Sequence, residues 1–426
     1  MKPSVRPFVR FPRLWLVAIG GLTLLLLSGT SLNAGSIEAV ITSRQGLKGI
    51  KGVHFGSFGE PTINDGGAIS VYASVYGKGV DSTANTLIAL VNRTRTARTM
   101  IRKGDPVGNG YEFSALGTDP VVNNSRHVSW TAEYADTKNT LWFVIALGKP
   151  NGTSSGYAAR NVTWYVDGMP ELALNARNAT SVNGMLRDPI SQDYLSTVFR
   201  LTLAVTTAIV TQGDPPIGMP LGSTYNSFGV PTIDDKNNLY FVADISDSGD
   251  AFDGIWFGKN ADPGPLVVKG QSAAGTSSTF STFSDSPCPS PDGKRCAFTA
   301  SAGGTNNGVW VADTASKAVS LIATTTSRVD GTAEQLSNFQ PPALNNKGQV
   351  AFMATSSVTS KSGIYAWNGA KLVKVIGIGD SFNINGKDKK AIDIRFNPVH
   401  ALNSSGVVVF TASFDDRTSG VFKASL

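Results

Sequence analysis

The chain has 426 residues, 41% of them hydrophobic, with 45 glycines, 21 prolines and two cysteines. Its formal charge is +6, but the first 34 residues hold Lys2, Arg6, Arg10 and Arg13 and no acid, and setting those four aside leaves +2. The high charge is thus largely a property of that segment, the support for the basic face that a nucleic-acid partner requires shrinks accordingly, and no nucleic-acid partner is expected.

Residues 1–34 read as a targeting segment. The four basic residues come first, the apolar stretch Leu14–Leu27 follows, and small residues from Ser28 to Ala34 offer a cleavage site. The run is short for a spanning helix, which needs about 20 residues. A cleaved signal, no stable membrane span afterwards, and a secreted, periplasmic or cell-surface monomer are therefore expected. An uncleaved anchor is the alternative.

Residues 35–426 read as one domain written in repeats. Each copy opens with a hairpin, the clearest being Pro342–Ala354. Its second strand carries a small or apolar residue, then an aromatic or Val, then Ala: Ile69-Val71-Ala73, Val128-Trp130-Ala132, Leu239-Phe241-Ala243, Cys296-Phe298-Ala300, Val350-Phe352-Ala354 and Val408-Phe410-Ala412. Period-two spacing places each trio on one strand face. Eight residues before the first column stand Pro61, Pro120, Pro231, Cys288, Pro342 and His400. The intervening turns carry pairs such as Asn64-Asp65, Asn123-Asn124 and Asn345-Asn346, residues that accept the φ angles of tight turns.

A third strand recurs at Leu87, Leu141, Ile255, Val309, Ile364 and Val421, at spacings of 54, 114, 54, 55 and 57 residues. The double gap is halved by Val198, in a repeat whose hairpin has degenerated. Fourth strands lie at Met100–Lys103, Ile209–Thr211, Val267–Lys269, Leu321–Ala323 and Val375–Gly377, with a poorer one at Val162–Val166. The last repeat lacks its fourth strand, and Ala39–Thr42 is an orphan strand near the other end. Four strands per unit at this period predict an all-β, seven-bladed β-propeller closed by the N-terminal strand. The irregular stretch from Gly148 to Gln212 should complete blade two and build blade three. Six blades with that stretch as an external insertion, or a pair of β-sandwiches, are the alternatives.

Two repeat types are similar. Ser290–Phe298 resembles the Ser-Pro-Asp-Gly-Lys repeat of TolB-type periplasmic propellers. Leu344–Phe352 resembles a bacterial family of exported propeller proteins in which Asn-x-x-Gly-x-Val-Ala-Phe repeats alternate with Gly-Asp-Pro-x-x-Gly segments, matched here by Gly104–Gly108 and Gly213–Pro215. The resemblance runs from about Val53 to the C-terminus and brings no activity. The chain departs from that family in having no sorting motif or apolar anchor after its last repeat.

The remaining residues offer little chemistry. A three-residue Pro291–Gly293 loop would set Cys288 opposite Cys296, close enough for a disulfide, with two buried thiols as the alternative. His54, His127 and His400 have no metal-ligand spacing, and no Gly-x-Ser-x-Gly elbow occurs. No catalytic residue, cofactor or metal is assigned. Asp244, Asp247, Asp250 and Asp253 form the densest acidic loop, too irregular for an EF-hand. Arg93, Arg95, Arg98, Arg102 and Lys103 read as charges guarding a blade edge, with an anion or lipid-headgroup patch as the alternative. Asn151, Asn161 and Asn178 head glycosylation sequons. The functional expectation is a module recognising a protein or cell-envelope polysaccharide through loops on one face. A glycan lyase or hydrolase over the central channel, or a structural surface protein, are the alternatives.

Overall fold

A computed structural model describes residues 36–426, apart from 109, 136–140, 151–153, 158–163, 166–170, 247–250, 305 and 385. Residues 1–34, where a targeting segment is expected, lie outside the described residues. Among those described, seven antiparallel sheets follow one another along the chain and form the ring of a seven-bladed β-propeller. The third strands fall where the period places them, for example Thr86–Val91, Tyr194–Leu201 and Ser419–Ser425.

The aromatic column is what packs the blades. Trp130, Phe241, Phe298, Phe352 and Phe410 are at most 1% exposed. They lie between neighbouring sheets with the Ala and third-strand side chains around them. In blade three Val182 takes this place, on the strand Thr180–Arg187. Its hairpin is intact: Ala173–Leu174 pairs with Thr180 and Ser181. Its turn places Asn178 at φ +62°, as Arg126 and Asn237 stand in blades two and four, where the other four blades use Gly67, Gly293, Gly348 and Gly406. One expected strand is reassigned. Trp164–Tyr165 opens blade three, and the fourth strand of blade two is Ser154–Tyr157. The rest of Val162–Val166 lies outside the described residues.

The turn asparagines do more than turn the chain. In blade six Asn345 Oδ1 accepts the amides of Lys347 and Gln349 at 3.0 Å, while its Nδ2 donates to the Asn403 carbonyl of blade seven at 2.9 Å. The same donation runs from Asn64 to Asn123 (2.7 Å), Asn123 to Asn175 (2.9 Å) and Asn175 to Asp234 (2.8 Å). Asn403 returns it to Asn64 at 3.2 Å, across 339 residues of sequence. Each amide thus holds its own turn and grips the next blade. Asp234 has no N–H to give, and its Oδ2 instead accepts Asn238 Nδ2 at 2.7 Å and Tyr240 OH at 3.1 Å. The backbone makes that link, Asp235 N–H donating to the Pro291 carbonyl at 2.9 Å. Replacing Asn345 by Asp keeps the turn acceptor and removes the two Nδ2 donations, the clasp to Asn403 and the bond to Gln349 Oε1 at 2.8 Å. A loss of about 1–2 kcal/mol in urea unfolding is expected, and a larger loss for Asn345→Ala, which strips both functions.

The ring closes as the strand count requires. Glu38–Thr42 pairs antiparallel with the last strand, Glu38 opposite Lys423, Ala39 opposite Phe422 and Thr42 opposite Gly420. Val40 and Ile41 are buried there. Glu38 reaches Arg95 at 2.7 Å and Lys423 at 3.2 Å.

The expected cysteine register is corrected. The blade-five turn is one residue longer than assumed: Ser290 N–H donates to the Arg295 carbonyl at 2.8 Å. Cys288 therefore lies opposite Ala297, and Cys296 opposite Pro289. A one-residue slip sends the two side chains to opposite faces. Both are free, fully buried thiols in separate apolar clusters, and no disulfide forms. Pro287, not Cys288, occupies the proline column. Burial pushes Cys288 up to about 12 and Cys296 well up too. Native protein should give no reaction with a disulfide-exchange reagent, and unfolded protein two equivalents.

Candidate functional site

The proline column makes the site. Proline has no N–H for a strand ladder and restricts the residue before it. Each inner strand is accordingly interrupted there: Val53–Phe58 and Thr62–Ile63 in blade one flank Gly59-Glu60-Pro61, and Tyr111–Leu116 and Val121–Val122 in blade two flank Gly117–Pro120. The residues in these breaks line a cavity of about 230 Å³ shared by several blades, at one mouth of the channel.

The residue before the proline position differs from blade to blade. It is Glu60, Asp119 and Glu171 in blades one to three, and Val230, Ser286, Pro341 and Val399 in blades four to seven. Three successive blades therefore give carboxylates and the opposite side is largely apolar. Asp285 stands at the rim of an adjoining cavity with Glu60 and Glu171. Arg395 lines the mouth from blade seven.

The carboxylates act on one another. Burial raises Glu60 to about 7, with Asp119 and Glu171 pushing the same way and Arg395 opposing. Burial raises Asp119 against a hydrogen bond from Thr118, and raises Glu171, helped by Asp119 and Asp285. A set of acids that resists ionising together in a cleft is a place where an incoming cation gains most.

The floor is unusual. Val399 has φ +83°, strained for a β-branched residue. It lines both the acidic mouth and a second cavity toward the turn asparagines, and so stands between the two chambers. His400 beside it lines only the second. Burial lowers its imidazole to about 4.

The residues singled out in the sequence lie elsewhere. His54 Nδ1 donates to the Arg44 carbonyl at 3.0 Å and its ring stacks on Tyr76, and His127 meets Asn178 at 2.6 Å. Asn178, the sequon inside a turn, is engaged by Asn123 as well. Asn151 and Asn161 lie outside the described residues, as do Asp247 and Asp250 of the acidic loop. Asp244 and Asp253 face each other across a strand pair. No cluster of His, Cys, Asp and Glu able to hold a metal occurs among the described residues.

The matching family spans nearly the whole of this architecture. Its description is Family of unknown function (DUF7453), and the match covers residues 31–426. The chain belongs to this family. No curated protein matches it in sequence. Solved structures of similar arrangement include the β-propeller domain of the Trilobed protease from Pyrococcus furiosus, at 10% identity, TM-score 0.49, and 87% and 95% coverage of this chain and that one. An acylaminoacyl peptidase from Pyrococcus horikoshii matches at 9% identity and TM-score 0.46, covering 84% of this chain and 49% of that one. The chain thus spans about half the peptidase's length. A putative TolB from Agrobacterium tumefaciens matches at 11% identity and TM-score 0.33, covering 63% and 87%. These likenesses concern the fold and bring no activity with them.

Proposed function

We propose that this chain is an exported binding module that recognises a protein or cell-envelope polysaccharide at the acidic channel mouth, with an ammonium or guanidinium group of the ligand entering between Glu60, Asp119 and Glu171. The observation that carries it is the crescent of mutually opposed carboxylates on three successive blades, in a cleft with Arg395 as the cation among its lining residues. A ligand cation would relieve that repulsion, and the apolar side at Val230, Pro231 and Pro398 would take the ligand's uncharged part.

Calorimetry at pH 8 with an N-trimethylated chitosan tetramer, whose charge is fixed, tests the reading beside a lysine-rich peptide and a neutral chitin tetramer. Binding of either cationic probe, at least tenfold weaker in Asp119→Asn/Glu171→Gln and absent for the neutral tetramer, is expected. Equal binding of charged and neutral probes, or no binding of either cation, would overturn it.

One observation favours a second reading. A carboxyl near 7 can hold a proton at neutral pH, as the general acid of a glycan hydrolase must. In that case the wild type would release reducing ends from a glycan and Glu60→Gln would not. Binding without turnover leaves the first reading alone.

A further inference from the structure

The seam where Glu38–Thr42 meets the last strand holds a further cleft, of about 260 Å³, whose lining shares no residue with the acidic mouth. The short strand Thr62–Ile63 lies between Glu60 at the mouth and Asp65 in this cleft. Its charge is opposite. Arg93 and Arg95 come from the turn between the last two strands of blade one, and Lys423 from the final strand of blade seven.

Two carboxylates stand near these three cations, and both are already engaged. Glu38 is shared by Arg95 and Lys423. Asp65 accepts the Ser404 amide at 2.7 Å and Asn124 Nδ2 at 2.9 Å. Arg93 has no carboxylate partner among the described residues. Its Nε donates to the Gly66 carbonyl, and the side chain lies over Gly67, where a Cβ would come within 3.2 Å of Nε. Gly67, at φ +74°, thus leaves room for the Arg93 side chain, which a Cβ there would crowd. Val40, Ile69 and Val407 supply an apolar floor.

We propose that this seam cleft is an oxyanion site that takes a carboxylate of an acidic polysaccharide such as a polyuronate, gripped by Arg93 and steered by Arg95 and Lys423. Planar guanidinium recognises a carboxylate through paired N–H groups, and the apolar floor suits a sugar ring better than a bare inorganic ion. The lining comes from both chain ends, so an occupant also holds the ring shut and stabilises the fold by mass action.

The test is calorimetry and thermal melting in low salt with an oligogalacturonate tetramer, beside inorganic sulfate and phosphate. The tetramer should bind wild type and raise its melting temperature, with affinity falling at least fivefold between 20 mM and 200 mM salt, a range over which screening of exposed charges tightens. Arg93→Gln should weaken binding at least fivefold with its unliganded melting temperature unchanged. Glu38→Gln should tighten binding by removing a competing carboxylate, although it loosens the seam, which a purely structural role for these charges would not produce. Asp119→Asn, at the other mouth, should leave tetramer binding unaltered. Equal affinity of Arg93→Gln and wild type, or weaker binding in Glu38→Gln, would overturn the site. Sulfate or phosphate binding as tightly as the tetramer would overturn the polysaccharide assignment.

Discussion

Removing Ser36–Thr42 while leaving residues 1–35 in place should lower the melting temperature by roughly 10 °C or more and produce aggregates on size exclusion. The deletion removes Val40 and Ile41 from the core, worth about 1.5–3 kcal/mol each, and the ladder to Gly420–Lys423. It also frees Arg95 and Lys423 from Glu38. What it leaves is an unpaired edge beside buried Val421 and Phe422, which invites strand pairing between molecules. Pairing of the two chain ends closes a loop the length of the domain, so the seam should also form late in folding. An unchanged melting temperature with a monomeric profile would mean that the ring is held by the asparagine clasps and blade packing alone.

Glu60→Gln should stabilise the protein at pH 8 and not at pH 4. The folded state holds the Glu60 proton up to about pH 7, against an ordinary value of 4.5. The folded protein therefore binds more protons than the unfolded one between those values, and stability falls as pH rises through that window. Above it the penalty is on the order of 2 kcal/mol, discounted for partial exposure to the channel. Glutamine removes the charge and keeps the shape. A gain of about 2–4 °C in melting temperature at pH 8, vanishing at pH 4, is the expected pattern. The same variant should lose affinity for a cation, so stability and binding move in opposite directions, as at a site whose charges are kept apart from their partners.

The ring was legible in the sequence because blade packing repeats. Phe298, Phe352 and Phe410 fill the same kind of gap, so the chain writes them at one period, and the fourth strand that the last repeat lacks is supplied by Ala39–Thr42. Blade three was legible in its third and fourth strands but not in its hairpin, since Val182 stands where most copies carry an aromatic. The cysteine pairing failed on a single extra residue in the Ser290–Arg295 turn, which spacing from Cys296 could not register. The acidic mouth was missed for a different reason. Glu60, Asp119 and Glu171 share a column, but the column is mixed, and a search for repeating residues passes over it. Pro61, Pro120 and Pro231 were the available signal: a proline inside an inner strand breaks the ladder, and the residue before it must go somewhere. The clasping role of Asn64, Asn123, Asn175, Asn345 and Asn403 was hidden because one residue type serves both its own turn and the next blade.

The most direct test of the acidic mouth is the pH dependence of binding for the fixed-charge N-trimethylated tetramer between pH 5.5 and 8.5. Since the probe's charge does not change, the profile reports the protein's carboxylates. Glu60, facing Asp119, Glu171 and Arg395, should ionise through about pH 7 in the free protein, so wild-type affinity should climb across that value. It should rise tenfold or more by pH 8.5, and Glu60→Gln should be weaker and flat across the same step. A wild-type profile with no rise near neutrality, or an identical rise in Glu60→Gln, would contradict a cation site built on these three carboxylates.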